Sequence, residues 1–342
     1  MRQVRWMHGP ARDAALALCW LPLAAGVAAV QGHPHALAWA LSAVLLLSLS
    51  HQPVTLALVY GDAARWREHR LLFAAAPLAA AAVVMLGLGV SLLAVAVVAG
   101  LWNAEHTLMQ RYGITRVYGR KGGDDRGGLE KPMLVSWLAV AMAAVAANPR
   151  TPHYLAEVNV GEVNRQGIQL LARLRPEAIL ALVPAVTVAG VLTRRWVRAE
   201  RTAPDANPAK WLYLGATAAL VLLVCVDPVA GFAAYVGAHA LEYFVIVRGA
   251  TDRRAASGGG GLVGRLARSP VRASGFVAAT SLAAVATLVV IERMSSFTVA
   301  TALYLTVGAL HIFYDGLIWK MRTPAVAHDL AVAPPPPALV AS

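Results

Sequence analysis

Seven ionisable side chains lie inside long apolar runs of this chain: His51, Glu105, His106, His239, Glu242, His311 and Asp315. A titratable group inside a bilayer is costly and is kept mainly where it binds, reacts, moves protons or pairs with a partner. Neutral imidazole is the commonest metal ligand, and a carboxylate often holds its second ring nitrogen. Four of the seven are histidines, and two of the acids follow a histidine in helical phase. Glu242 is i+3 from His239 and Asp315 is i+4 from His311, so each pair shares one helix face. That phase makes Glu242 a fifth ligand or an orienting group for His239, and Asp315 an orienting group for His311. Glu105 directly precedes His106 and points about 100° away from it, which makes it a poor co-ligand. Histidines with open coordination positions suit non-haem Fe(II) reacting with O2; Zn, Cu, Mn and a haem held between facing histidines are the other cofactors that fit.

These residues need elements to position them, and composition says which. Of 342 residues 58% are hydrophobic and only 14% charged, against about 25% charged in a soluble domain. So little charge cannot cover a water-facing surface, which excludes a soluble enzyme. The fold class is an all-α polytopic integral membrane protein of about ten transmembrane helices. The segments are 14–31, 36–60, 72–87, 89–112, 132–148, 177–193, 211–226, 228–247, 273–291 and 296–319. Glycines in Leu86–Val90 divide the third from the fourth, and Asp227-Pro228 divides the seventh from the eighth.

The net charge of +12 would suggest nucleic acid in a soluble protein, but here it reports orientation. With a cytoplasmic start, 25 of the 30 Lys and Arg residues fall in the inside segments 1–13, 61–71, 111–131, 194–210, 248–272 and 320–342. The positive-inside rule therefore places both termini in the cytoplasm, in a membrane expected to be the bacterial inner one, with no nucleic-acid partner. All four histidines then lie on helices running toward the cytoplasm, about 8–15 Å from their cytoplasmic ends. Four imidazoles in one slab, from four helices pointing the same way, can close around a metal.

Residues 1–322 read as a single transmembrane domain and 323–342 as a Pro/Ala-rich disordered tail. The N-terminal apolar run is expected to be a retained first helix. The Gly-rich basic stretches 113–131 and 250–272 read as flexible loops, and 161–175 within the outside loop as a short amphipathic surface helix. Cys19 and Cys225 sit in apolar runs as reduced thiols. Trp102, Tyr112, Tyr235, Tyr243, Tyr304, Phe313, Tyr314 and Trp319 gather near the histidine blocks, where an interface belt or an apolar substrate pocket would put them. No span contains a lysine, which excludes a retinal Schiff base, and the His-x-x-x-His and His-x-x-His-His boxes of membrane desaturases are absent.

Two other classes use the same features. A proton-coupled transporter could run a relay through the histidines and acids, but the outer halves of their helices are almost wholly apolar, which favours a one-sided pocket. A non-catalytic assembly subunit would dock partners on the two basic loops.

The four blocks are LSHQPVTLALVYGD, LWNAEHTLMQRYG, YVGAHALEYFVIVRG and GALHIFYDGLIWKMR. In order, spacing and the final His-x-x-x-Asp they resemble the Brp/Blh family of integral-membrane β-carotene 15,15′-dioxygenases. There, histidines from several helices hold a non-haem iron, and O2 cleaves the central double bond to give retinal. By block, the resemblance implies that His51, His106, His239 and His311 are ligands and that Asp315 is the acid beside the last. It departs at Thr55, where the family has an acid, and at Tyr243, where it has a further histidine; Tyr243 and Glu242 beside it are then the candidate reacting-site groups. The implied reaction is oxygenation of a lipophilic, carotenoid- or isoprenoid-like substrate that enters from among the membrane lipids.

Overall fold

The computed structural model describes residues 3–124, 127–158, 162–256 and 297–332, with isolated positions between 261 and 286. Among these the chain is helical throughout and has no strand. The helices are α1 (Pro10–Leu18), α2 (Trp20–Val30), α3 (Pro34–Tyr60), α4 (Ala63–Glu68), α5 (Arg70–Val90), α6 (Leu92–Gly122), α7 (Glu130–Ala147), α8 (Thr151–Val158), α9 (Glu162–Thr202), α10 (Pro208–Val226), α11 (Pro228–Ala256), α12 (Phe297–Ile318) and α13 (Pro324–Asp329). Nine spans among the described residues are long and apolar enough to cross a membrane, with α1 and α2 together forming the first. The expected span at 273–291 lies outside the described residues, apart from isolated positions.

Local chemistry sets the breaks. Pro22 lacks an N–H, and its ring crowds the carbonyl of Leu18, where α1 gives way to α2. The break expected at the glycines of Leu86–Val90 falls instead at Ser91, because Gly87 and Gly89 stay helical within α5. Ser91 is extended and caps α6 by accepting a bond from the Ala94 amide at 3.2 Å. Asp227 stops α10 and restarts α11, accepting from the Ala230 amide at 3.0 Å. The hairpin it makes is so tight that a Cβ on Gly231 would fall 2.5 Å from the backbone of Val224.

α11 is the most deeply buried span, packing on α2, α3, α6 and α10. α12 closes the other side against α3, α5 and α6, and α7 pairs with α9 and α10. The outward faces of α5 and α9 expose Leu78, Val83, Leu180 and Val183, the surface a helix presents to lipid. Residues 5–8, the 203–210 turn, the end of α6 and residues 319–332 meet at one end of the bundle. There the Arg5 amide donates to Asn207 and the Arg120 guanidinium to the Met321 carbonyl.

Four sequence expectations change. Residues 113–122 are no flexible loop, because α6 continues to Gly122 with Ile114, Val117 and Tyr118 in the core. It ends at Gly123, whose φ of 97° is the left-handed region that favours glycine. Arg116 is buried against Asp124 and Glu130, and Arg120 donates to the Met321 carbonyl. Likewise α11 runs on to Ala256, into the second expected loop. Residues 162–175 belong to the 41-residue α9 and form no separate surface helix. Residues 324–332 are no disordered tail, since Val326, Ala327, Leu330 and Val332 pack into the core beside Met7 and Tyr118.

Candidate metal centre

His51, His106, His239 and His311 stand on α3, α6, α11 and α12, and the bundle brings them together. All are buried, with exposures of 1, 8, 1 and 2%. Their rings form a closed quadrilateral. Centroids are 4.7 Å apart for His51–His239, 4.9 Å for His239–His106, 4.9 Å for His106–His311 and 4.5 Å for His311–His51, with neighbouring rings near perpendicular. Nε2 of His311 lies 3.0 Å from Nε2 of His51 and 3.1 Å from Nε2 of His106. The two ring nitrogens of His239 have no hydrogen-bond partner among the described residues. Pro53, two residues after His51, interrupts the hydrogen-bond ladder of α3 beside the cluster.

A polar network fixes His311 from behind. Its Nδ1 is 2.7 Å from the Thr55 hydroxyl, which in turn donates to Oδ1 of Asp315 at 3.0 Å. Tyr243 donates to the same carboxylate oxygen at 3.2 Å and also touches the Thr55 hydroxyl. With Nδ1–H of His311 donating to Thr55, the Nε2 lone pair of His311 faces the cluster. Asp315 thus reaches His311 through Thr55; its other oxygen is 3.9 Å from Nδ1 of His311 and 3.8 Å from Nε2 of His106. Thr55, noted in the sequence only as a departure from the family's acid one helical turn after His51, is the link between ring and carboxylate.

Glu242 is placed differently from the expectation. Its carboxylate pairs with Arg111 at 2.8 Å, both fully buried, and accepts from Gln110 at 3.3 Å. It does not reach the ring nitrogens of His239, because i+3 on α11 turns it toward α6 and α10. Gln110 also donates to the His239 carbonyl at 3.0 Å, so the pair braces the backbone that carries the imidazole. Arg111, read from sequence as the first residue of a cytoplasmic segment, completes its contacts with Thr217 at 3.1 Å and the Tyr213 ring face.

The imidazoles fit a metal ion. Two donors about 2.1 Å from one ion and at right angles lie about 3.0 Å apart, the spacing seen between the Nε2 atoms here. A buried imidazole with two idle nitrogens is otherwise a desolvation cost with no return. A second buried acidic group, Asp124, Glu130 and Glu200, does not share this character. Lys210 is its cation, 2.8 Å from Asp124, 2.8 Å from Glu130 and 2.9 Å from Glu200.

Two cavities meet at the histidines. One, about 790 Å³, runs between α5, α6 and α12 from Gly87 and Val95 to Gln52 and His311. The other, about 640 Å³, continues toward the end of the bundle that holds residues 5–8, passing His106, Asp315 and Tyr243 to Lys320 and Leu330. Trp102, Ile312 and Phe313 line both. Each is of the size that holds a small organic ligand.

No family model, curated protein or solved structure matches the chain.

Proposed function

We propose that the protein is an integral-membrane, metal-dependent oxygenase acting with O2 on a lipophilic, isoprenoid- or carotenoid-like substrate, the chemistry implied by the Brp/Blh resemblance. The observation that carries this reading is the convergence of four buried imidazoles from four helices, with both nitrogens of His239 idle. His51, His106, His239 and His311 would hold Fe(II), which when bound supplies the activation of O2 that side chains lack. Thr55 and Asp315 hold His311 in the tautomer that turns Nε2 inward. Tyr243 anchors Asp315 and borders the cavity beside His106. The apolar walls exclude water and admit substrate from the hydrocarbon layer, because the larger cavity opens between lipid-facing residues such as Val83, Val90 and Val98.

In this reading the bundle has ten spans in a bacterial cytoplasmic membrane, with both termini inside. The chain leaves α11 near α13 and enters α12 at the opposite end of the bundle, so a crossing between them supports the expected span at 273–291. The basic residues favour the cytoplasm for the end that α13 occupies.

The test is metal analysis of detergent-purified protein, as isolated and after anaerobic loading with Fe(II). Stoichiometric iron is expected, lost when any one of the four histidines becomes alanine. Wild-type protein that holds no metal after loading, or holds it equally well without these histidines, would sink the reading.

A further inference from the structure

The two cavities differ in character along their common axis. The larger is walled for most of its length by Leu72, Val83, Val84, Val95 and Val98, with Gln52 and Asn103 where it reaches the histidines. The smaller brings Glu105, Gln110, Tyr112 and Lys320 to one space. Along α6 the change comes at Trp102–Asn103, and along α12 at Ile312–Phe313, the level at which the histidines sit.

Glu105 is the residue out of place. It is the 14th residue of the 31-residue α6, close to its middle, on a face turned away from the protein core. It has no hydrogen bond or ion pair among the described residues. Lysine and arginine at such a depth reach the interface on long stems, but a glutamate with two methylenes cannot. A carboxyl group there is tolerated if something in the cavity hydrogen-bonds to it. A hydrocarbon would leave it unpaired, whereas a hydroxyl would donate to it.

We propose that the substrate is an amphiphile, a long apolar chain carrying a hydroxylated end group. The chain lies in the larger cavity, the end group donates to Glu105 in the smaller one, and the histidines meet the molecule between them. The carboxyl then decides which way round the molecule lies, since a site built to bond a hydroxyl strongly rejects the analogue that lacks it. This rests on the oxygenase reading for the meaning of the histidines, but binding can be tested apart from the metal.

The experiment uses the full chain, purified metal-free in detergent. Its probes are a long-chain fatty alcohol with a mid-chain diazirine and the hydrocarbon of the same length and diazirine position. After illumination, the alcohol should label peptides carrying Trp102 or Phe313 about tenfold more than the hydrocarbon does. Glu105→Leu should remove that preference and leave hydrocarbon labelling unchanged, while Glu105→Gln, still an acceptor, should keep part of it. Equal labelling by the two probes in wild type, label outside the cavities, or equal loss of both probes in Glu105→Leu would overturn the proposal. A protein that binds no iron but prefers the alcohol defeats only the oxygenase reading; one that binds iron without the preference defeats only this one.

Discussion

Thr55 shows how much of the site rests on a single hydroxyl. It stands between Nδ1 of His311 and Oδ1 of Asp315, at 2.7 and 3.0 Å, and so transmits the carboxylate's hold to the ring. Thr55→Val keeps the volume and removes the link, leaving a buried carboxylate short of a donor and His311 free to change tautomer. Groups that orient a ligand in this way typically account for about 10–100-fold in metal affinity. If the histidines hold Fe(II) as proposed, Thr55→Val should weaken that binding by about that factor, measured by chelator competition. Thr55→Ser should restore it, and a Val variant with wild-type affinity would show the link to be idle. The histidines and Asp315 were legible in the sequence because ionisable groups are conspicuous in apolar helices. The role of Thr55 was not, because a threonine in place of an acid is ordinary in a membrane helix and only the partner from α12 gives it one.

At the scale of elements, the Arg111–Glu242 pair joins α6 to α11 behind the histidines. Its helical phase with His239 suggested that Glu242 serves the imidazole, yet the carboxylate faces an arginine that sequence alone had placed at the membrane edge. Hydropathy marks where a run of apolar residues stops, not where a helix stops. α6 continues for eleven residues beyond Arg111 because Glu242 neutralises Arg111, and Glu130 and Asp124 neutralise Arg116, inside the protein. Removing one member of a buried pair strands the other charge and costs about 3–5 kcal/mol, while replacing both with apolar groups can be nearly neutral. Glu242→Gln and Arg111→Met should each lower stability by that order in SDS titrations of detergent-solubilised protein. The double variant Arg111→Met/Glu242→Met should recover most of the loss. Equal instability of single and double variants would argue that the two residues are not coupled.

For the whole molecule, orientation can be tested without knowing the chemistry. Arg67 on α4 and Arg150 after α7 are exposed at opposite ends of the bundle. In a background with Cys19 and Cys225 replaced by alanine, a membrane-impermeant maleimide should label Arg150→Cys on intact spheroplasts. It should reach Arg67→Cys only after permeabilisation. The reverse pattern would invert the bundle and place the smaller cavity toward the outside. By itself the sequence determined the class, the helix break at Asp227, and which buried polar residues had to be accounted for. Apolar runs, helix-stopping residues and the cost of burying charge are local properties that one chain carries in its order of residues. Only the tertiary structure decided that four imidazoles close into one ring, that Glu242 belongs to Arg111, and that two cavities, the smaller one carrying Glu105, Gln110 and Lys320, meet at the histidines. These depend on how helices far apart in sequence rotate and pack against one another, and no spacing along a single helix encodes that.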